Sequence, residues 1–162
     1  MSQHPAPPDG GSAPRPSPEH ARLGVFVGSW RTQGELLSDS PGGPATPLRA
    51  TDRYEWLPGG FFLLHHVDAR VGDAVVHALE VIGFDERRGE YFSHAYDGGG
   101  TMTTYAARLD GDRWRIEGAT ERFAGAFSAD RQLLTGRWER LVDGAGWVPW
   151  MTLTLTKAVD GW

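Results

Sequence analysis

The chain has 162 residues, of which 40% are hydrophobic and 23% charged, and its formal net charge is -5 at pH 7. This composition predicts one soluble domain that is long enough to bury a core. The negative charge and the lack of dense Lys/Arg clusters argue against nucleic-acid and anionic-membrane partners. The sequence has no cysteine, which excludes disulfides and thiolate sites and favours the cytoplasm.

The start of the chain predicts a tail followed by a short helix. Residues 1–17 are rich in proline and poor in large apolar side chains, which is typical of a disordered segment. Ser17, Pro18 and Glu19 then supply a hydroxyl cap, a proline at the first helical position and an acid in the first turn. We expect this helix, which Gly28 ends, to plug one end of the domain formed by residues 18–162.

Turn signals recur at intervals of roughly ten residues after the helix, and no helical period lies between them. The predicted strands cover about 27–37, 49–57, 61–70, 75–84, 90–96, 101–109, 113–117, 120–127, 133–141 and 147–157. Consecutive hairpins favour an all-β fold, a single antiparallel up-and-down barrel, because closure removes exposed sheet edges.

Several motifs in this order resemble the lipocalin-like (calycin) superfamily, and more closely a group of uncharacterised bacterial lipocalin-like proteins. They are Gly28-x-Trp30 after a short helix and the stretches 55–62, 65–68, 80–85, 93–94, 136–139 and 147–157. The resemblance implies the barrel fold and transfers no activity. More distantly, the chain is similar to the haem-binding nitrobindins, whose iron is held by a late histidine. This sequence has no histidine after His94, so an earlier histidine would have to substitute.

The candidate metal ligands are four histidines, His65, His66, His77 and His94. A zinc or iron site needs about three converging ligands. Neighbouring strand residues point to opposite faces, and no His-x-His pair exists, so we expect no metal site and no cofactor. Alternation favours His65 inside the barrel because its face is the more apolar one, whereas a bulge would turn His66 inward.

Two further groups are candidates for a pocket wall. Glu80 lies in the apolar run 78–82, where it is either a solvated acid or an inward carboxylate that needs a partner. An inward carboxylate would be a plausible acid or base. Phe92, His94 and Tyr96 share one strand face, and large rings with polar tips suit a pocket, so we predict that this face lines the cavity.

A late arginine is predicted to have a structural role. Arg137 or Arg140 is expected to stack on Trp30 by a cation–π contact, and this is favoured over a role in substrate binding. The predicted ligand-binding set nevertheless includes the first of the two: Tyr54, Trp56, His65, His66, Glu80, His94, Tyr96, Tyr105 and Arg137. Catalytic residues remain unassigned.

The function that these patterns favour is binding of a small, largely apolar or aromatic organic ligand in the barrel cavity. The alternative is an isomerase or cyclase that uses the His, Glu and Tyr groups as acid and base. A protein-interaction module that uses exposed tryptophans is a third reading. The expected partners are the small ligand and, as an option, a second copy of the chain in a homodimer.

Overall fold

Two short helical turns precede the sheet in the computed structural model, which describes residues 11–159. Helix α1 covers Pro18–Arg22, and a 3₁₀ turn covers Leu23–Phe26, so the predicted helix tightens before it reaches Gly28. Ser17 lies at the cap position, and its backbone N–H donates to Nδ1 of His20 at 3.0 Å. The tail predicted over 1–17 lies mostly outside the described residues.

Ten strands form one closed barrel. They are β1 Gly28–Leu36, β2 Thr46–Trp56, β3 Leu63–Val71, β4 Ala74–Asp85, β5 Glu90–Asp97, β6 Met102–Asp110, β7 Arg113–Glu117, β8 Glu121–Phe127, β9 Leu133–Val142 and β10 Gly146–Lys157. Each strand pairs antiparallel with its neighbours in the chain, and β1 pairs with β10. The predicted all-β up-and-down barrel is therefore confirmed. Between residues 11 and 159, no helix is long and apolar enough to cross a membrane.

The turn between β2 and β3 depends on two glycines. Gly59 and Gly60 have φ angles of 113° and 79°, a region that side chains with a Cβ rarely adopt. The N–H of Leu57 donates to the carbonyl of Phe62 at 2.9 Å and closes the turn. This turn brings β3 back against β2 and so aligns their inward side chains.

The helical turns plug one end of the barrel. Phe26 is 1% exposed, stacks on Tyr54 with 5.1 Å between ring centroids, and packs edge-on against Trp114. The hydroxyl of Tyr91 donates to the carbonyl of Glu19 at 2.7 Å. Indole Nε1 of Trp30 donates to the carbonyl of Phe26, also at 2.7 Å. Among the described residues, no helix covers the opposite end of the barrel.

The cation that lies on Trp30 is a lysine, so the prediction of an arginine is wrong. Nζ of Lys157 lies 5.2 Å from the centre of the Trp30 ring. The cause is the register of the closing strand pair, which places Lys157 directly opposite Trp30. Arg137 instead lies exposed on the outer face, and Arg140 ion pairs with Asp39.

Candidate functional site

A cavity of about 480 Å³ occupies the part of the barrel away from the plug. Its wall is mainly apolar and aromatic because inward side chains alternate with outward polar ones along each strand. The lining residues are Thr32, Leu36, Leu48, Ala50, Asp52, Tyr54, His65, Val67, Ala69, Val71, Val76, Trp114, Ile116, Phe123, Leu134, Trp138, Trp150, Met151, Leu153 and Leu155. Val76, near the unplugged end, is 38% exposed, so the cavity meets solvent there.

The polar part of this wall centres on His65, which lies between two carboxylates. Its Nε2 is 2.6 Å from Oδ1 of Asp52, and its Nδ1 is 2.8 Å from Oε1 of Glu80. Strand pairing explains this arrangement, because Glu80 on β4 is directly opposite His65 on β3. Asp52 belongs to the other neighbouring strand, β2, two residues before the direct partner Tyr54.

The second oxygen of each carboxylate also accepts a hydrogen bond. The hydroxyl of Thr32 donates to Oδ2 of Asp52, and the hydroxyl of Ser93 donates to Oε2 of Glu80 at 2.5 Å. Ser93 is completely buried, and Thr32 and Asp52 are 4% and 5% exposed. The result is a continuous hydrogen-bonded chain across five neighbouring strands, from Thr32 on β1 to Ser93 on β5.

The hydrogen-bonded chain favours the protonated form of the His65 imidazole. Burial alone would lower the pKa of His65, but the hydrogen bonds and charges of Asp52 and Glu80 outweigh it and raise the pKa to about 9. Both ring nitrogens then act as donors, which matches two carboxylate acceptors. The side chain of His65 is 13% exposed, so water screens these interactions only weakly.

Two tyrosines near this series of hydrogen bonds are held in their neutral form. Burial, together with the charges of Asp52 and Glu80, raises the pKa of Tyr54 well above its ordinary value. Burial also raises the pKa of Tyr105, whose hydroxyl donates to Oε2 of Glu121 at 2.7 Å. Neither phenol therefore forms a phenolate that could act as a base near neutral pH.

Part of the predicted ligand-binding set does face the interior. His65 and Tyr54 line the cavity, and alternation correctly placed His65 rather than His66 inside. Glu80 faces inward behind His65, Trp56 packs against the core, and Tyr105 is buried beside Glu121. Their role as ligand-binding residues stays a prediction.

The orientation predicted for β5 is wrong. The inward set is Tyr91, Ser93 and Ala95, whereas His94 and Tyr96 lie on the outer face, where Tyr96 is 41% exposed. The physical reason is the carboxylate of Glu80, which needs a small donor beside it, and Ser93 fills that place. The larger rings then pack outside, where Phe92 contacts Phe62 and His94.

Two other members of the set also point outward. His66 is the outward neighbour of His65, and its Nε2 is 3.1 Å from Oε1 of Glu55 at the surface. The Arg137 side chain is 58% exposed, on the face of β9 opposite Trp138. Neither side chain reaches the cavity, because adjacent strand residues point to opposite faces.

Three important residues were missed by the sequence reasoning. Asp52, Thr32 and Ser93 complete the hydrogen-bonded chain around His65. For Asp52 a signal was available, since it shares a strand face with Leu48, Ala50 and Tyr54, and an acid within such an apolar face needs a partner.

The described histidines are poorly placed to bind a metal ion or haem iron. Within residues 11–159 no group of three or more His, Asp or Glu side chains is arranged to hold a metal. His65 is the only described histidine that lines the cavity, and both its nitrogens already face carboxylates. An imidazole that binds iron needs one nitrogen free, so the residues do not fit haem in the manner of the nitrobindins.

One arginine lies on the inward face of β9, beyond the last residue of this strand that lines the cavity. Arg140, two residues beyond Trp138 on β9, ion pairs with Asp39 in the loop after β1. Its Nε is buried and has no hydrogen-bond partner within the described residues.

Comparison with protein families shows which family the chain belongs to. The family DUF1579, described as "Protein of unknown function", matches residues 15–139. The chain belongs to the DUF1579 family. The match runs from the start of the plug to β9 and so includes Asp52, His65, Glu80 and Ser93.

Comparison with solved structures agrees with the fold. The crystal structure of Rv2717c from M. tuberculosis is similar, with a TM-score of 0.63 and 13% identity over 88% of this chain and 99% of that one. At this identity the likeness concerns the fold alone. A de novo designed, fluorescence-activating β-barrel matches with a TM-score of 0.43 and 12% identity over 83% and 95% of the two chains. That score is too low to support an argument. No curated protein matches the chain.

Proposed function

We propose that this DUF1579 protein binds a small, largely apolar or aromatic organic molecule inside the barrel. The observation that carries the proposal is the cavity of about 480 Å³, whose wall is apolar or aromatic apart from Thr32 and Asp52. Ligand pockets in proteins commonly measure roughly 300–1,000 Å³ and combine an apolar wall with a few placed polar groups.

Acid–base catalysis in the same cavity is the alternative, and the hydrogen bonding around His65 supports it less. A general base needs a nitrogen or oxygen that reaches the substrate proton. Both nitrogens of His65 face Asp52 and Glu80, and the second oxygens of these acids accept from Thr32 and Ser93. Because both nitrogens of His65 are engaged in this way, the arrangement favours a fixed binding surface over proton transfer.

Assignment to the lipocalin-like group is part of the same proposal. It is supported by the meander order of the strands and by Gly28-x-Trp30 at the start of β1. A cytoplasmic location and a homodimer stay predictions, for which cell fractionation and analytical ultracentrifugation are the tests.

Titration with Nile red, a neutral dye that fluoresces in apolar surroundings, tests the binding function. Ala69 lines the cavity, so Ala69→Phe should fill it and reduce dye affinity at least about tenfold. Ala126→Phe is the matched control, because Ala126 is exposed on β8, and it should bind like wild type. Equal affinity in all three proteins would place the dye elsewhere and refute the proposal.

A further inference from the structure

The carboxylate of Asp52 gives the cavity wall a charged hydrogen-bond acceptor. The two N–H groups of His65 and the hydroxyl proton of Thr32 are directed at carboxylates. Each carboxylate oxygen has two lone-pair sites, so Asp52 can accept further bonds from a ligand. Tyr54 is the one lining residue here whose hydroxyl can still both donate and accept. A ligand that donates hydrogen bonds therefore finds a charged acceptor in this part of the wall.

The charges of the same groups sum to a negative value. The imidazolium of His65 contributes +1 and the carboxylates of Asp52 and Glu80 contribute −2, which leaves −1. Among the described residues, neither Lys nor Arg lines the cavity. A ligand carboxylate would lose its hydration there without gaining a free counter-ion, which is costly. The nearest inward cation along β9, Arg140, is already paired with Asp39.

The aromatic part of the cavity wall also suits a positively charged ligand. Five aromatic rings line the cavity, those of Tyr54, Trp114, Phe123, Trp138 and Trp150. The face of an aromatic ring attracts a cation, most strongly for tryptophan and where water is excluded. Apolar ligands of any charge would use these rings for packing, but only a cation would gain from their electrostatic field.

From these three features we propose that the cavity selects an organic cation, an amine or ammonium group on an apolar or aromatic body. The cationic head lies beside Asp52 and donates to its carboxylate, while the body packs against Trp138 and Trp150, away from the plug. This inference rests on the proposed binding function and adds to it the charge of the ligand.

A matched series of probes tests the inference. Phenylbutylamine, phenylbutanol and phenylbutyrate share one apolar body and differ in the charge of the head group. At about pH 7 the amine is cationic and the acid anionic. Each would be titrated against the protein loaded with Nile red, and its affinity read from the loss of dye fluorescence. The amine should bind about tenfold or more tightly than the alcohol, and the carboxylate should bind most weakly.

The substitution Asp52→Asn tests the origin of this preference. It keeps the shape of the side chain and removes the charge, so the ratio of amine to alcohol affinity should fall about tenfold. Asp68→Asn is the matched control, because Asp68 is on the outer face of β3 with its side chain 73% exposed. Should Asp52→Asn fail to fold, Trp138→Leu removes a lining ring and should also lower the ratio.

The outcomes separate the two proposals. If Nile red binds in the cavity and the alcohol or carboxylate binds as tightly as the amine, the cation preference is refuted and the binding function stands. Tightest binding of the carboxylate would point to Arg140 as its partner. If neither the dye nor any probe binds, both proposals are refuted together.

Discussion

The ring of Tyr54 lies nearly parallel to the imidazole of His65, with 3.9 Å between the ring centroids and 9° between the planes. The two residues are direct partners across β2 and β3. A phenol face stacked on an imidazolium adds cation–π attraction to the two carboxylate hydrogen bonds of His65. The imidazole is thus fixed on its face and at both nitrogens.

Removal of the His65 imidazole should strongly destabilise the barrel. His65→Ala leaves Asp52 and Glu80 as buried like charges without their shared counter-ion, which should cost about 3–5 kcal/mol. His66→Ala is the control, because it removes only an exposed pair with Glu55 and should cost about 0–1 kcal/mol. Urea unfolding of both variants measures the difference, and similar costs would contradict the role of His65.

The stability of the wild type should fall as the pH rises from about 6.5 to about 9. In this window the unfolded chain has lost the His65 proton, whereas the folded protein, with its pKa raised to about 9, retains it. The stabilisation is complete below the ordinary pKa of 6.5, and on the order of 3 kcal/mol should be lost by pH 9.

Nitrogen NMR of the histidine rings provides a direct check of this pH dependence. Both ring nitrogens of His65 should carry protons at about pH 7 and lose one near pH 9. A His65 ring that is neutral at pH 7, or a stability that rises over the window, would contradict the proposed charge state.

The sequence predicted the fold well because turns and alternation are local signals. Ten strands and their order follow from turn residues at regular spacing, and the helical plug follows from the cap residues Ser17 and Pro18. The same alternation placed His65 inside. It failed on β5, where both faces carry rings, since Phe92, His94 and Tyr96 alternate with Tyr91, Ser93 and Ala95. The choice between them depends on Glu80 of the neighbouring strand, which is a tertiary contact.

Gly125 on β8 and Gly136 on β9 face each other, and we expect neither position to tolerate a side chain. A Cβ on Gly136 would lie 2.5 Å from the Phe123 ring and 2.5 Å from the carbonyl oxygen of Ala124. Gly136→Ala should therefore cost about 1–3 kcal/mol through overpacking. Gly24→Ala is the control, because nothing lies within 4 Å of the added atom. Thermal melts compare the two, and a Gly136→Ala variant as stable as Gly24→Ala would contradict this prediction.

Trp30 should be among the most sensitive positions of the core. It is 1% exposed, donates to the carbonyl of Phe26 and lies under Lys157. Trp30→Ala should cost about 3–5 kcal/mol, because it removes a large ring from the junction of plug and barrel. Trp147→Ala, at a partly exposed ring under Arg122, should cost clearly less. Guanidinium unfolding that ranks the two variants in the opposite order would contradict this view of the plug.

The most direct test of the central claim is methyl NMR with labelled alanines and Nile red. Ala50 and Ala69 line the cavity, whereas Ala124 and Ala126 are exposed on the outer face of β8. The account predicts intermolecular NOEs between the dye and the methyl groups of Ala50 and Ala69, with none to Ala124 or Ala126. NOEs to the outer methyl groups alone, or saturable binding that leaves Ala50 and Ala69 unchanged, would contradict ligand binding inside the barrel.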